Sequence, residues 1–351
     1  MEMRVLAKSE LSFLLDKILA DIPMVGVKER EGKYIYDYMG SGEETCLDFD
    51  VTVQSPKRFI LPPQEVILQF SLGEKIQVEP YLKANPQIIW GVHPYDIKAI
   101  NFLDKVFQSE NMDEHYLAKR RSTVIVGIDP LRASEKSFWA SMEADKVDEG
   151  FDLFLTDIGE DYVITIGTER GRKILDKYGI LTSATSSQVK ARDSAKAKLK
   201  DLCNPGRKLN FPLKLLPYIL MRGEEEEIWK EKAEKCLSCG SCNLVCPTCY
   251  CFDVQEEVSE NLKEGRRYRV WDGCLLEDFA KVATGENFRG ERYQRFRHRF
   301  YRKGLYLKKK YGEFACVGCG RCASACLPDI ADPVEIFNTL YDSLKGVLTY
   351  E

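Results

Sequence analysis

Between residues 8 and 21, Leu11, Leu14, Leu15, Ile18 and Leu19 recur at helical spacing, and Pro23 stops the run. That pattern predicts a helix with one buried stripe. Apolar pieces at 46–53, 58–61 and 65–70 read as short strands separated by Pro56, Pro62 and Pro63. Residues 87–92 (Gln-Ile-Ile-Trp-Gly-Val) and 122–128 (Ser-Thr-Val-Ile-Val-Gly-Ile) are unbroken apolar runs of strand length, as expected of strands covered on both faces. Pro94 suits the first turn of a helix that runs to about Phe107. A helix near 135–145, strands at 151–157 and 161–167 and a helix at 169–178 continue the alternation, which predicts an α/β domain. Gly167 and Gly171 lack the spacing of a dinucleotide-binding fingerprint.

Residues 184–235 read as mostly helical and charged, with breaks at Pro205, Pro212 and Pro217. The acidic run Glu224 to Glu227 reads as a solvated face or a helix start. The expected division is an N-terminal α/β domain over 1–228, with a helical C-terminal extension, and a second domain over 229–351. No low-complexity linker separates them, so the two are expected to pack together.

The second domain repeats one piece of grammar. The first run is Cys236-x-x-Cys239-x-x-Cys242-x-x-x-Cys246-Pro247, and the second is Cys316-x-x-Cys319-x-x-Cys322-x-x-x-Cys326, with Leu327 before Pro328. Three thiolates at this spacing cap three corners of a cubane cluster, and in two-cluster ferredoxins the last cysteine of each run serves the other cluster. The pairing expected is therefore Cys236, Cys239, Cys242 and Cys326 on one [4Fe–4S] cluster, and Cys316, Cys319, Cys322 and Cys246 on the other. Each terminal cysteine is expected to begin a helix that points away from its own run. Structural zinc favours two separated ligand pairs, a poorer match to four closely spaced cysteines given twice. Cys249, Cys251 and Cys274 are surplus to two clusters. They read as buried thiols packed beside a cluster, or as ligands of a third centre whose fourth ligand is unassigned. Cys46 and Cys203 read as ordinary thiols.

Composition changes this picture little. Among 351 residues the formal net charge is −4, which names no partner, and 13 cysteines in CxxC groups suit a reducing compartment and metal more than disulfides. No stretch looks like a signal peptide or a membrane span, so a soluble, cytoplasmic protein is expected. The spacer 252–315 is longer than in small ferredoxins and is expected to carry its own helices, one of them through Leu275, Leu276, Phe279, Ala280 and Val282. From Arg289 to Lys310 there are ten Lys or Arg residues against one acid, Glu291, with aromatics interleaved. Nucleic-acid binding fits this segment least, because the net charge is near neutral and no binding module is present. Charge compensation of an anionic cluster and docking of a partner, mixed with a solvated face, fit it best. His93 follows a predicted strand, where α/β proteins place ligands, although a satisfied loop histidine is the plainer reading. His115 and His298 carry no pattern, and no nucleophile–base pair or paired carboxylates form a catalytic motif, so no catalytic residue is assigned.

Cys246-Pro-Thr-Cys-Tyr-Cys251, Arg269-Val-Trp-Asp-Gly-Cys274, Glu286-Asn-Phe-Arg289 and Cys316-Val-Gly-Cys-Gly-Arg-Cys322 together resemble the dicluster iron–sulfur subunits of cytoplasmic sulfhydrogenases and the A subunit of anaerobic sulfite reductase. The N-terminal domain is similar to the sulfhydrogenase beta subunit at Gly91-Val-His-Pro-Tyr-Asp96 and at Gly150-Phe-Asp-Leu-Phe-Leu155. The resemblance implies an α+β chain, with an N-terminal α/β domain followed by an α-helical ferredoxin-like domain. It further implies a non-catalytic subunit that passes electrons through two [4Fe–4S] clusters. The partners it implies are an NAD(P)-binding flavoprotein and a catalytic subunit of hydrogenase, sulfite reductase or heterodisulfide reductase type, in a hetero-oligomer with no nucleic acid and no membrane. Relatives often carry a cysteine where this chain has Tyr95, a small cysteine group where it reads Asp129 to Ala140, and a proline in place of Leu327. Two rival readings stand beside this one. One is a stand-alone iron–sulfur oxidoreductase with a substrate site in its N-terminal domain, and the other is an interaction module with structural clusters.

Overall fold

In the computed structural model, which describes residues 1–73, 75–179, 181–203 and 206–346, two sheets and a helical region share the chain. The larger sheet is built from β1 (Met3–Ala7), β2 (Met24–Arg30), β3 (Lys33–Tyr38), β6 (Gln87–Val92), β7 (Thr123–Ile128), β8 (Leu153–Asp157), β9 (Asp161–Ile166) and β10 (Thr182–Ser183), with β4 (Gln64–Leu72) and β5 (Ile76–Pro80) set apart in the second sheet. Its order is β10-β1-β9-β8-β7-β6-β2-β3. The central strands β2, β6, β7 and β8 pair in parallel, and antiparallel strands flank them.

Alternation along the central strands sorts their side chains. Ile88, Trp90, Val124 and Val126 face one core with α1 (Leu11–Leu19) and α4 (Glu169–Tyr178). Ile89 and Ile125 face the other, with α2 (Pro94–Phe107) and α3 (Glu114–Ser122). This two-sided burial is why these strands read as unbroken apolar runs. The predicted helix 8–21, strands 87–92, 122–128, 151–157 and 161–167, and helices 94–107 and 169–178 all form, with bounds shifted by a few residues.

Other expectations fail for local reasons. Residues 46–53 form no strand, 58–61 begin inside a single helical turn (Pro56–Phe59), and 135–145 form turns instead of a helix. The apolar residues Phe138, Trp139 and Met142 that suggested that helix are buried, but in the core of the C-terminal region. Between 275 and 282 there is one short turn, Glu277–Ala280. Of the breaks expected in the charged stretch, Pro205 lies outside the described residues. Pro212 and Pro217 flank the start of α6 (Leu216–Arg222), which follows α5 (Ser186–Ala197).

The spacer between the cysteine runs holds the largest departure. Residues 252–271 form a hairpin, β11 (Phe252–Val258) and β12 (Glu264–Trp271), instead of helices. It joins β4 (Gln64–Leu72) and β5 (Ile76–Pro80) in a four-stranded antiparallel sheet. The sheet therefore crosses the expected boundary at 228/229. Buried Arg269 on β12 fastens it, donating two hydrogen bonds to Glu65 on β4 and another to Asp113 at the head of α3. The C-terminal core likewise draws Tyr95, Phe138 and Trp139 in with Trp229, Phe300 and Phe337.

Candidate metal centres

Each cysteine run folds the same way. The third cysteine sits in a one-turn helix, α8 (Ser241–Leu244) in the first run and α11 (Arg321–Ser324) in the second, and these two helices pack together. Each helix starts from a left-handed glycine, Gly240 (φ 72°) or Gly320 (φ 81°). Two residues further back, Ser238 and Gly318 are also left-handed. Such a reversal lets three thiols two residues apart turn to one side. The terminal cysteines also match: Cys246 N donates to Asn243 O and Cys326 N to Ala323 O. Neither begins a helix, contrary to expectation; Cys246 leads through a turn into β11, and Cys326 ends the turn after α11.

Packing α8 against α11 interleaves the two runs. Cys246 of the first run lines one cavity with Cys316, Cys319 and Cys322 of the second, and with Arg299 and Lys303. The cavity takes in about 430 Å3 of atom-free space, its open mouth included. Cys242, in turn, lies within electrostatic reach of Cys322, Cys326 and Cys236. Cys239 is exposed. Among the described residues no three Cys, His, Asp or Glu side chains are grouped to hold a single metal ion. The thiols surround a space instead, which suits a polynuclear cluster. Burial pushes the Cys319 and Cys242 thiols up to about 12 and that of Cys316 higher still. Thiols held neutral in this way are poor free nucleophiles and need a metal to draw out the thiolate. The donor set and the cavity therefore fit iron–sulfur clusters, which pass electrons when bound.

The basic segment explains its own charge. It forms α9 (Arg292–Tyr301), a wider turn (Arg302–Tyr306) and α10 (Leu307–Tyr311) in one continuous rod. Arg295, Arg299 and Lys303 follow at four-residue spacing and are all buried on the face toward the cysteines. The Arg299 guanidinium donates to Cys242 O at 3.1 Å, and Lys303 Nζ to the Thr248 hydroxyl at 2.8 Å. Burial opposes the charge of both, yet the negative charge that Cys242 and Cys322 carry when deprotonated beside Arg299, and Cys246 and Cys249 beside Lys303, holds both above their ordinary values. Arg299 and Lys303 thus turn inward to the cysteines, whereas Arg292, Lys309 and Lys310 stay exposed and available for docking.

Several positioning groups escaped the sequence reading. Arg321 lies between two ligand candidates and is 1% exposed in an ion pair with Asp96, which is also 1% exposed. Its guanidinium makes two hydrogen bonds to that carboxylate and two more to Thr52. A charged residue between two cysteines of a compact motif was the available signal. Buried Lys57 reaches from the N-terminal domain and donates to Cys246 O and Cys249 O, and burial lowers it to about 8. His93 is fully buried, with Nδ1 2.7 Å from the Tyr95 hydroxyl and its ring stacked on Phe49. It is a packed histidine, but not the fully satisfied one that the plainer reading expected, because its buried Nε2 has no hydrogen-bond partner among the described residues. The Tyr95 ring in turn stacks on Trp139.

Two interleaved cysteine runs set against a two-faced α/β sheet define an iron–sulfur protein. Residues 235–330 match a 4Fe-4S dicluster domain family. The chain is 32% identical over 325 residues to the Sulfhydrogenase 2 subunit beta of Pyrococcus furiosus, covering 91% of this chain and 92% of that protein. It belongs to the sulfhydrogenase beta subunit family. No solved structure matches it. Among the described residues no helix is long and apolar enough to cross a membrane.

Proposed function

We propose that the chain is an electron relay in a hydrogenase-type complex. It carries electrons through two [4Fe–4S] clusters between an NAD(P)-linked flavoprotein subunit and a catalytic subunit. The first cluster takes Cys236, Cys239, Cys242 and Cys326, and the second takes Cys316, Cys319, Cys322 and Cys246. The observation that carries this reading is the shared cavity of Cys246 with the three thiols of the other run. Four cysteine ligands leave no iron corner open, so such clusters exchange electrons without binding substrate. The hetero-oligomer and the hydrogenase partner come from the relative's name, since that protein is a sulfhydrogenase subunit. The first cluster's exposed ligand Cys239 gives it an edge at the surface, where a partner's cofactor can come close.

The test uses the chain purified without oxygen. The isolated chain is expected to accept electrons from dithionite or from a flavoprotein partner, and to leave NAD(P)H unoxidised when alone. Direct NAD(P)H oxidation by the pure chain would overturn the relay. The Cys246→Ala variant should lose or distort the cluster of the second run, seen as the loss of one of two reduced-cluster signals by electron paramagnetic resonance. A variant whose damage matches that of Cys236→Ala would show that each run closes on itself.

A further inference from the structure

The three surplus cysteines meet. Cys249, Cys251 and Cys274 line one cavity with Arg299, Arg302 and Lys303. It lies beside the second-cluster cavity and shares Thr248, Arg299 and Lys303 with it as a common wall. The hairpin inserted between the runs makes this possible. Cys251 immediately precedes β11 and Cys274 follows β12. The pairing of Phe252 with Trp271, extended by Asp272 N donating to Cys251 O at 3.0 Å, folds these two cysteines back together. Cys249 sits one turn beyond Cys246, its N donating to Cys246 O. Asn243 turns its amide into the site and donates to Cys274 Sγ at 3.2 Å, the kind of contact that stabilises a sulfur carrying negative charge.

Charge points the same way. Lys57, Arg299 and Lys303 are buried and Arg302 is half-buried. Their polar partners are neutral: carbonyl oxygens for Lys57 and Arg299, the Tyr250 hydroxyl for Arg302 and the Thr248 hydroxyl for Lys303. Buried Arg299 Nε has no hydrogen-bond partner among the described residues. The four cations gather along the wall between this cavity and the second-cluster cavity, and buried charge without a counter-charge is strongly destabilising. The site has soft thiol donors, no carboxylate or imidazole in its lining, and a cationic wall, which suits an anionic iron–sulfur core better than a hard cation.

We infer that Cys249, Cys251 and Cys274 hold a third iron–sulfur cluster, bound by three protein thiolates at the base of the β11–β12 hairpin. With three cysteines it is either a three-iron cluster or a cubane whose fourth iron takes a small external ligand. Ligation of eleven cysteines leaves only Cys46 and Cys203 of the 13 outside the clusters.

Iron and sulfide analysis of the anaerobically purified full chain, with Mössbauer spectra of the same sample, tests this directly. About eleven or twelve irons per chain are expected, where two clusters alone give about eight. The double variant Cys251→Ala/Cys274→Ala should fall to about eight irons, with the reduced signals of the other two clusters kept. A wild-type value of about eight irons, unchanged in the double variant, overturns the third cluster and leaves the two-cluster relay standing. About four irons would overturn the relay's cluster count as well. One zinc per chain, lost in the double variant, would overturn the iron–sulfur assignment. If the double variant does not fold, the wild-type iron count and the number of Mössbauer subspectra still decide.

Discussion

The two cysteine runs share one spacing and one backbone path but not one environment. In the first run Leu237 is 62% exposed, whereas its counterpart Val317 is 2% exposed. Ser238 carries a side chain at a left-handed position, and the second run has Gly318 there, where a Cβ would stand 2.5 Å from the Trp139 Cα. Ser241 is matched by Arg321, which is locked into the Asp96 ion pair. The second run is also hydrogen-bonded along its main chain to the N-terminal domain, through Phe138 N to Gly318 O and Ser137 Oγ to Cys319 O. One motif thus builds an exposed turn and a turn seated on the protein's own scaffold. Cysteine spacing sets the shared backbone path, and the residues between the cysteines set how deeply each run is buried.

Breaking the seat of the second run should therefore cost far more than the matching change in the first. Arg321→Met strands a buried carboxylate and should destabilise the chain by about 3–5 kcal/mol, read by urea unfolding under anaerobic conditions. Ser241→Ala should stay within about 0.5 kcal/mol, the range of a substitution away from such features. Adding Asp96→Asn to Arg321→Met should recover part of the loss, because the stranded charge is then gone. Equal effects from Arg321→Met and Ser241→Ala would erase the contrast.

Gly318→Ala and Gly240→Ala sharpen it. Both add the strain of a left-handed residue, about 1–2 kcal/mol. At Gly318 the new methyl also meets Trp139 backbone, whereas at Gly240 it meets only the movable end of Leu276 at 3.1 Å. The Gly318 variant should melt lower by several degrees more than the Gly240 variant.

The smallest effect concerns pH. Burial, together with nearby Arg321, lowers His93 to about 3, so its ring is neutral in the folded protein. The unfolded chain takes up the extra proton near pH 6.5, so this contribution is whole above that value and is lost as the pH falls toward 3. Between pH 6.5 and 5.5 wild type should lose about 1 kcal/mol more than His93→Gln. Parallel losses in the two proteins would mean that His93 is not held neutral behind the second run.

The cysteine grammar was legible in the sequence because cluster ligation is a local matter of spacing, and the central strands were legible because burial on both faces makes them continuously apolar. The crossed pairing was an expectation from the same spacing, and the structure places Cys246 in one cavity with the three cysteines of the second run. The hairpin 252–271 was not legible. β11 is exposed throughout, and its ladder with β12 is paired by opposite charges, Glu256 with Arg267 and Glu257 with Arg266, which interrupt the apolar alternation of Phe252, Val254 and Val258. The apolar group 138–142 misled, because its periodicity recorded burial against another region and not a helix of its own. Only the tertiary structure brought Asp96 to Arg321, Lys57 to Cys246, and Cys251 to Cys274. These pairs are set by how sheets, hairpin and helices pack, and contacts between residues far apart in the chain leave no periodic trace within it.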